Sequence, residues 1–339
     1  VRQRGTSSTV SGYGTVDMFR PFYSGTDEAP TQAQADVASG TTPYTSGFRK
    51  SLKITNGNQT SGAGTADVIE FATKLEAQDI ANSGWNYTSA SSYVTLSFWV
   101  KSSVAQNFYG QLVTTDGTSQ NYPFETGSLT ADTWTKVTKT IPGNSNLQFD
   151  NNADKGIDIK WIMFRGTDTT GSVSLNAWAA NNNSVRVPNN TSTWYTTNDA
   201  TFEVTGVQLE VGSVATDFEH LSFADELRRC QRYFFSITGD NNTRSGVLGY
   251  ANSSSEFRGV VHFPVTMRSN PTFTGSATAA VIDSADDSAT FNVNALSMST
   301  VPQINQAVVE VSTSSMTAGQ CGQLEFRAND GFMKFSSEL

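Results

Sequence analysis

Side chains that commonly perform catalysis are scarce in this sequence. It contains only two histidines, His220 and His262, among 339 residues. This number disfavours a nucleophile activated by histidine and a zinc site with several histidine ligands. It also has no Gly-x-Ser-x-Gly, no phosphate-binding Gly-x-x-x-x-Gly-Lys and no Cys-x-x-Cys. His262 lies between Val261 and Phe263 in a predicted strand, which favours a structural or surface role. We therefore expect that the protein is not an enzyme.

Paired carboxylates are the remaining route to hydrolysis, because two of them can cleave a glycosidic bond. The nearest candidates are Asp217 with Glu219, and Asp283 with Asp286 and Asp287. The second group lies in a Ser/Ala/Asp stretch that is typical of a solvated loop. We therefore interpret both groups as surface carboxylates and predict no catalytic residue.

Oxygen-bearing side chains are concentrated between residues 150 and 154, where the sequence is Asp-Asn-Asn-Ala-Asp. Several such side chains in a short loop suit a hard cation such as calcium, with Asp150, Asn152 and Asp154 as ligands. The stretch lacks the Gly and the terminal Glu of an EF-hand, and Asn/Asp-rich turns also occur without metal. A structural calcium ion is the only cofactor that the sequence suggests.

Several aromatic residues lie in polar, turn-rich stretches rather than in apolar runs. They are Trp85, Tyr87, Trp178, Trp194 and Tyr195. An exposed ring covers the apolar face of a pyranose while neighbouring amides meet its hydroxyls, so these residues predict a sugar-binding surface. The alternative is that a Trp at the margin of a sheet closes the hydrophobic core.

Composition excludes several other classes of function. The chain carries 22 Lys and Arg against 31 Asp and Glu, a formal net charge of -9, which disfavours binding to nucleic acid or to an anionic membrane surface. No apolar run approaches the roughly 18 to 20 residues needed for insertion across a membrane. With 37% hydrophobic and 16% charged residues, and much Gly, Ser, Thr and Asn, the sequence fits an all-β protein.

The elements that would position the candidate residues are predicted to be β-strands. Between residues 93 and 100 one face of the strand would consist of Val94, Leu96, Phe98 and Val100, and the other of Tyr93, Thr95, Ser97 and Trp99. Similar runs recur, and turn-forming pairs such as Asn56-Gly57 and Asp116-Gly117 separate them. This pattern predicts a jelly-roll β-sandwich.

A short amphipathic helix is predicted after residue 221. Ser222 is a suitable N-cap with Asp225 three residues later. One face of the helix would consist of Phe223, Leu227, Cys230 and Phe234. This face would bury Cys230 as a structural thiol, and we expect both Cys230 and Cys321 to be free and shielded from reagents.

The distribution of tryptophan marks a boundary between domains, because all six tryptophans precede residue 220. The second part again shows the alternation of strands. We therefore predict three segments: a jelly-roll domain over residues 1–219, a linking helix over 220–235, and a smaller C-terminal β domain over 236–339.

Several motifs resemble those of tail-fibre and related virion proteins of tailed bacteriophages, which carry a jelly-roll domain similar to carbohydrate-binding modules. The residues that carry the resemblance are Gln3-Arg4-Gly5-Thr6-Ser7, Gly12-Tyr13-Gly14, Leu96 to Ser103, Asp132-Thr133-Trp134, Phe263 to Arg268 and, above all, Thr205 to Thr216 with Phe218-Glu219-His220. The segment from Ser222 to Phe234 looks like the helix that closes that domain. Asp217 departs from the pattern, which often has Pro there, and we interpret this change as neutral.

The resemblance implies a tail fibre or receptor-binding protein at the virion surface that attaches to bacterial surface glycans without turnover. Its other partners would be virion proteins. Fibre proteins are commonly threefold, and a chain with many strand edges needs partners to cover them, so we expect a homotrimer. The alternative is a purely structural component, such as a head decoration, a head fibre or a tail adaptor. A depolymerase would usually be a long β-solenoid, and the sequence shows no such repeat.

Overall fold

The structure is a computed structural model that describes residues 1–239, 247–278, 280–284, 289–300, 303–326 and 331–339. The chain divides into two compact units, Arg2–Leu221 and Ser222–Glu338. Antiparallel strands dominate both units, so the predicted all-β fold class is confirmed. Within the described residues, no helix combines the length and the apolar character that a membrane span requires.

Two antiparallel sheets form the first unit. Their strands are β1 (Ser7–Ser8), β2 (Phe19–Ser24), β3 (Thr31–Asp36), β4 (Lys50–Thr55), β5 (Val68–Glu76), β6 (Tyr93–Ser102), β7 (Asn107–Thr114), β8 (Gln120–Ser128), β9 (Thr135–Pro142), β10 (Lys155–Arg165), β11 (Ala179–Ala180) and β12 (Thr201–Val211). The first sheet has the order β1-β3-β4-β12-β6-β9 and the second the order β11-β8-β7-β10-β5-β2. Three short helices, α1 (Thr42–Thr45), α2 (Ala77–Ala81) and α3 (Thr193–Thr196), lie in the connections.

The core lies between these two sheets, as the alternation in β6 predicts. Val94, Leu96, Phe98 and Val100 are at most 4% exposed, whereas Trp99, on the opposite face of the strand, is only partly buried. Trp161 of β10 stacks on Phe71 at 5.1 Å and meets Phe98 edge-on at 5.5 Å. Each such aromatic pair contributes about 0.5–1.5 kcal/mol beyond the area that it buries. The apolar face of each sheet therefore packs against the other sheet, and polar residues occupy the outward faces.

A charged network stabilises the outward face of the second sheet. Glu70, which is 5% exposed, accepts hydrogen bonds from Arg165 at 2.5 Å and from Lys160 at 3.1 Å. Burial alone would raise the pKa of the Glu70 carboxyl, but the charges of Lys160 and Arg165 outweigh it and lower the pKa. Since the folded pKa is depressed, this stabilisation is present above the ordinary pKa of Glu and is lost as the pH falls through the lowered value.

The second unit is a smaller β structure around its own core. Its described strands are β13 (Phe234–Thr238), β14 (Val247–Ser253), β15 (Glu256–His262), β16 (Thr272–Ser276), β17 (Ala280–Ser284), β18 (Thr290–Asn292), β19 (Ala295–Met298), β20 (Gln306–Ser312), β21 (Cys321–Phe326) and β22 (Phe332–Ser336). They form a three-stranded sheet, β13-β22-β16, and a seven-stranded sheet, β18-β17-β21-β14-β15-β20-β19. Phe257, Val309, Leu324 and Phe335 are fully buried in the core.

Helix α4 (Phe223–Gln231) begins where the sequence predicts and belongs to the second unit. The side chain of Ser222 accepts a hydrogen bond from the backbone N–H of Asp225 at 3.2 Å, which is the predicted N-cap. Its apolar face differs from the prediction in two positions. Phe223 is 71% exposed, because it occupies the first turn, and Phe234 lies beyond the helix as the first residue of β13.

Neither cysteine forms a disulfide bond, as predicted. Cys230 is 3% exposed and has the structural environment that the sequence predicts. Cys321, the first residue of β21, is exposed, so the expectation that both thiols are shielded is wrong for Cys321. The reason is its position on the outward face of the strand, at which it pairs with the half-exposed Tyr250.

Candidate ligand-binding groove

A groove of about 500 Å³ opens on the outward face of the first sheet of the first unit. Its floor consists of residues from β6 and β12, and its sides are formed by the end of α1 and by the segment that follows β12. The lining residues are Thr45, Ser46, Gly47, Phe48, Ser97, Trp99, Lys136, Gly206, Thr216, Asp217, Phe218 and His220. A volume of this size, with both aromatic and polar lining, is typical of sites for small ligands or for a few sugar units.

A β-bulge in β12 shapes the floor. The register between β12 and β6 shifts between Thr205 and Gln208, and Gly206 adopts a left-handed backbone with φ of 61°. A side chain at this position would clash with Phe48, because an ideal Cβ would lie 2.5 Å from the Phe48 Cζ atom. Glycine at position 206 therefore permits the left-handed backbone angle and also lets the Phe48 ring pack close to the sheet.

One side of the groove is a return segment, residues 212–220, which runs back over the sheet after β12. Glu210 accepts hydrogen bonds from the backbone N–H of Thr216 at 3.0 Å and from its hydroxyl at 2.6 Å. Gln208 accepts one from the backbone N–H of Glu219 at 2.9 Å and donates one to Glu210 at 3.0 Å. Outward-facing side chains of β12 thus hold the return segment in place.

These hydrogen bonds also set the ionisation of Glu210. Its limited burial raises the pKa of the carboxyl, but the hydrogen bonds from Thr216 and Gln208 outweigh it and hold the pKa below its usual range. The charged form of Glu210 is therefore the one that fixes the return segment.

Three rings close the end of the groove next to α1. Phe218 lies 4.9 Å from Phe48 and 4.9 Å from His220, and Phe48 lies 5.1 Å from His220. The His220 Nε2 atom is 2.9 Å from the backbone oxygen of Ser46, so Nε2–H donates to it and Nδ1 is left toward other partners. Through Nε2, His220 therefore contacts a carbonyl and not a serine hydroxyl.

Trp99 provides the aromatic surface of the floor. It is partly exposed and pairs across the sheet with Thr205 of β12 and with Lys136 of β9. The next outward residue of β6, Lys101, is held by an ion pair with Glu203 at 2.9 Å, and Glu203 also accepts a hydrogen bond from Ser51 at 2.8 Å. The floor around Trp99 is therefore ordered by its neighbours, and its ring is available to a ligand.

Two charged groups of the groove, Lys136 and Asp217, form no direct ion pair within the part of the chain that the structure describes, although the charge of Lys136 helps to lower the pKa of Glu210. Lys136 supplies hydrogen-bond donors and Asp217 supplies acceptors. Together they give the groove a mixed polar lining beside the Trp99 ring. Such a combination suits a ligand with an apolar face and many hydroxyl groups.

The structure corrects the predicted sugar-binding surface at three of its residues. Trp194 is 0%, Tyr195 1% and Trp85 3% exposed, so these rings offer no face to a ligand. Trp194 Nε1 donates to the backbone oxygen of Thr201 at 3.0 Å, and the Tyr195 hydroxyl donates to Asp67 at 2.9 Å. Their polar sequence context reflects the turns in which they lie, while the rings themselves close the core, which was the alternative interpretation.

Tyr87 and Trp178 are partly exposed, so a ligand role for these two rings stays a prediction. Trp178 Nε1 donates to the backbone oxygen of Pro142 at 2.7 Å, and its ring lies 5.2 Å from Tyr122. Tyr87 meets Phe149 edge-on at 5.0 Å. Neither residue lines the groove, so the structure does not bring them together with Trp99.

Hydrogen bonds within the predicted calcium loop and to Asp116 hold the loop in place. The Asn152 side-chain oxygen accepts from the backbone N–H of Asp154 at 2.9 Å, and the Asp150 N–H donates to Asp116 at 3.0 Å. Within the described ranges, no group of three or more His, Cys, Asp or Glu side chains is arranged to hold a metal ion. Calcium at Asp150, Asn152 and Asp154 stays a prediction.

The two groups of carboxylates that the sequence offers as catalytic candidates do not form one site in the described residues. Asp217 lines the groove and Glu219, on the same segment, is exposed. Asp283 is 7% exposed in β17 and accepts a hydrogen bond from Thr290 at 2.7 Å, while Asp286 and Asp287 lie outside the described residues. His262 is exposed at the end of β15.

Comparison with known proteins gives a likeness of fold only. No family model matches the chain, and no curated protein does. Among solved structures, the enzymatically active domain of bacteriophage CBA120 tailspike protein 4 is 9% identical over 57% of this chain and 19% of that chain, with a TM-score of 0.31. The matched part therefore spans only about a fifth of the length of that tailspike chain.

Two carbohydrate-binding structures are also similar. The family 11 carbohydrate-binding module of the Clostridium thermocellum cellulase Lic26A-Cel5E is 13% identical over 64% of this chain and 98% of that chain, with a TM-score of 0.27. The N-terminal cellulose-binding domain of Cellulomonas fimi β-1,4-glucanase C is 11% identical over 64% and 99%, with a TM-score of 0.30. At these identities and scores, no ligand or activity is assigned to this chain.

The hydrogen bonds of Glu210 lead to a prediction about the return segment. Replacing Glu210 with Ala removes the acceptor for both groups of Thr216, and a hydrogen bond to a charged acceptor contributes about 1.5–3 kcal/mol. We expect amide exchange at Thr216 and Glu219 to accelerate at least about tenfold, measured by hydrogen exchange with mass spectrometry.

Glu219→Ala is the matched control for this prediction, because only the backbone of Glu219 contacts Gln208. It should leave the exchange rates of the return segment close to those of the wild type. Acidification should lower the protection of the same amides, relative to their intrinsic exchange rates at each pH, as the pH falls through the lowered pKa of Glu210. Equal exchange in both variants would contradict the role given to Glu210.

Proposed function

We propose that this protein is a phage virion protein, a tail fibre or receptor-binding protein, that attaches to glycans of a bacterial surface through the groove on the first sheet. The observation that carries the proposal is the groove itself, in which the partly exposed ring of Trp99 lies among hydroxyl, ammonium and carboxylate groups. The virion context rests on the resemblance of residues 205–234 to phage tail proteins.

The chemistry of binding follows from the lining. A pyranose can lay its apolar C–H face on the Trp99 ring, while its hydroxyls exchange hydrogen bonds with Lys136 and Asp217. The groove is open and holds one or a few sugar units, so a single contact is weak. Several copies acting together, as in a homotrimer, would convert weak contacts into firm attachment, because the later contacts form at high effective concentration.

Binding without turnover is part of the proposal. His220 is engaged with the Ser46 carbonyl, and Asp217 is the one acidic side chain among the described residues that line the groove, whereas glycoside hydrolysis generally requires a pair of carboxylates. The ligand would therefore be held and released intact.

A purely structural virion role is the second candidate, and one observation favours it. On the outward face of the seven-stranded sheet of the second unit, Leu248 is 68%, Tyr250 48% and Val260 42% exposed. Exposed apolar side chains grouped on one face are typical of surfaces that contact other proteins. This surface is compatible with a head decoration, a head fibre or a tail adaptor.

Two measurements test the proposal. Gold-labelled antibodies against the protein should mark the distal part of the phage tail, and the purified protein should bind host cells and compete with phage adsorption. Label confined to the head, together with no binding of the purified protein to cells, would favour the structural role. Shortening of host polysaccharide on incubation with the protein would contradict binding without turnover.

A further inference from the structure

We infer that the groove holds the terminal unit of a glycan chain and not an internal segment. This inference rests on the proposed function, since it names the part of a glycan that the same groove would hold. The two ends of the groove differ: side chains close one of them, whereas the other opens at the edge of the first sheet.

The groove crosses the strands of the first sheet. Phe48 lies just before β4, Gly206 belongs to β12, Trp99 to β6 and Lys136 to β9. These strands are neighbours in the order β4-β12-β6-β9. Because adjacent strands lie about 4.8 Å apart, the lining extends about 14 Å from the side of β4 to β9. This length leaves room for a few sugar rings in a row.

Side chains from two elements meet at the end of the groove near β4. His220 of the return segment donates Nε2–H to the backbone oxygen of Ser46 at 2.9 Å, and an ideal Cβ at Gly47 would lie only 2.7 Å from the same Nε2 atom. Phe218 lies 4.9 Å from Phe48 and 4.9 Å from His220. Aromatic rings at these distances are packed against each other. We call Phe48, Phe218 and His220 the ring wall, and a glycan chain has no passage through it.

The opposite end of the groove lies at β9, which is the last strand of the first sheet. Lys136 is exposed there, and no described residue that lines the groove belongs to an element beyond β9. The end of α1 and the return segment form the two sides. A glycan chain that follows the floor of the groove therefore leaves it past β9.

The ring wall stands next to the position of a sugar that stacks on Trp99. The Phe48 ring packs over Gly206 of β12, and β12 is the strand beside β6. An internal unit of a linear glycan has a neighbour on each side, and one of these neighbours would overlap the ring wall. Packed side chains have little room to move aside, so this overlap excludes internal units. A terminal unit has a single neighbour, which can extend toward Lys136.

The test is a titration of the full chain with linear glycans of different length. Linear glucan, mannan and galactan are screened for one that binds, and short and long fractions of that polymer are then compared by isothermal titration. Each glycan chain, short or long, should bind one protein chain at saturation. A site for internal segments would bind more protein chains on a longer glycan, so a stoichiometry that rises with length would overturn the inference.

Competition with adsorption to host cells gives a second measure. Partial acid hydrolysis that shortens the bound polymer about tenfold should lower the mass needed for half-maximal inhibition about tenfold, because only the terminal units are competent to bind. Equal or weaker inhibition per unit mass after hydrolysis would also overturn the inference.

Variants at the two ends of the groove make the test specific. Phe218→Ala with His220→Ala removes two rings of the ring wall and should admit internal units, so that a long glycan binds more than one protein chain. Lys136→Ala, at the open end, is the matched control and should lower affinity at every length without changing the stoichiometry. Thermal unfolding shows that each variant is folded, and an unchanged stoichiometry in the folded double variant would overturn the inference.

Failure of the proposed function would look different. A protein that binds neither these polymers nor host cells, or whose glycan binding survives Trp99→Ala, would contradict the role of the groove in attachment. Binding that is lost in Trp99→Ala but has a stoichiometry that grows with glycan length would leave that role intact and overturn only the selection of chain ends.

Discussion

Replacing Trp99 with Ala is expected to weaken glycan binding at least about tenfold while leaving the protein folded. A pyranose that covers about 60–80 Å² of the ring gains roughly 1.5–2 kcal/mol at about 25 cal/mol per Å², and the variant loses this contribution. Trp99 is partly exposed on the outward face of β6, so its removal leaves no cavity in the core. Isothermal titration with a bound glycan gives the affinity, and thermal unfolding gives the stability.

Two other tryptophans serve as controls for Trp99. Trp178→Ala removes a partly exposed ring outside the groove, and Trp134→Ala removes one on the same side of the first sheet, where Lys101 lies 5.1 Å from its ring. Both variants should retain the wild-type affinity. If Trp178→Ala lost binding and Trp99→Ala did not, the ligand would lie at the surface predicted from the sequence and not in the groove.

The alternation of apolar and polar residues in β6 was sufficient to predict that Trp99 lies on the outward face of the sheet. It places Val94, Leu96, Phe98 and Val100 in the core and Trp99 on the outward face, and the structure confirms both faces. The sequence could not show that this face is concave, because the groove is closed by α1 and by the return segment, which lie about 50 residues before and about 110 residues after β6 in the chain. An alternating pattern predicts which face of the sheet a residue lies on, but it does not predict which distant segments pack next to that residue.

The most specific motif of the sequence has a physical explanation that its pattern alone did not reveal. Gln208 and Glu210 alternate outward along β12, and Thr216 and Glu219 provide the backbone groups that they hold. Gly206 permits the bulge that starts the arrangement. The motif at residues 205–220, which the sequence analysis used for the fold, therefore also builds one side of the groove. Asp217, which we interpreted as a neutral departure from the phage pattern, lies on that side.

Trp85, Trp194 and Tyr195 are buried despite their polar sequence context, for a general reason. Local composition describes the chain neighbours of a ring, whereas burial depends on residues that are distant in sequence. Trp194 illustrates the difference, because its backbone N–H donates to the side chain of Gln106, 88 positions earlier, at 2.9 Å. A large ring in a short connection fills the end of the sandwich, while the polar residues around it face solvent.

Trp194→Ala should therefore affect stability and not recognition. Its ring is 0% exposed, and truncation of a buried Trp costs about 3–5 kcal/mol through lost contacts and the cavity that remains. For a unit of this size the midpoint of thermal unfolding should fall by about 10 °C. Because all six tryptophans precede residue 220, tryptophan fluorescence follows the unfolding of the first unit alone.

The milder Trp194→Phe keeps most of the apolar volume and removes only the Nε1–H that donates to Thr201. Its loss of stability should be closer to about 1–2 kcal/mol, since one hydrogen bond and a smaller cavity are involved. For both variants the affinity of the folded fraction for a glycan should equal that of the wild type, measured well below the unfolding transition. A Trp194→Ala protein with normal stability and reduced affinity would show that this ring reaches a ligand after all, and that its burial between the sheets is not its role.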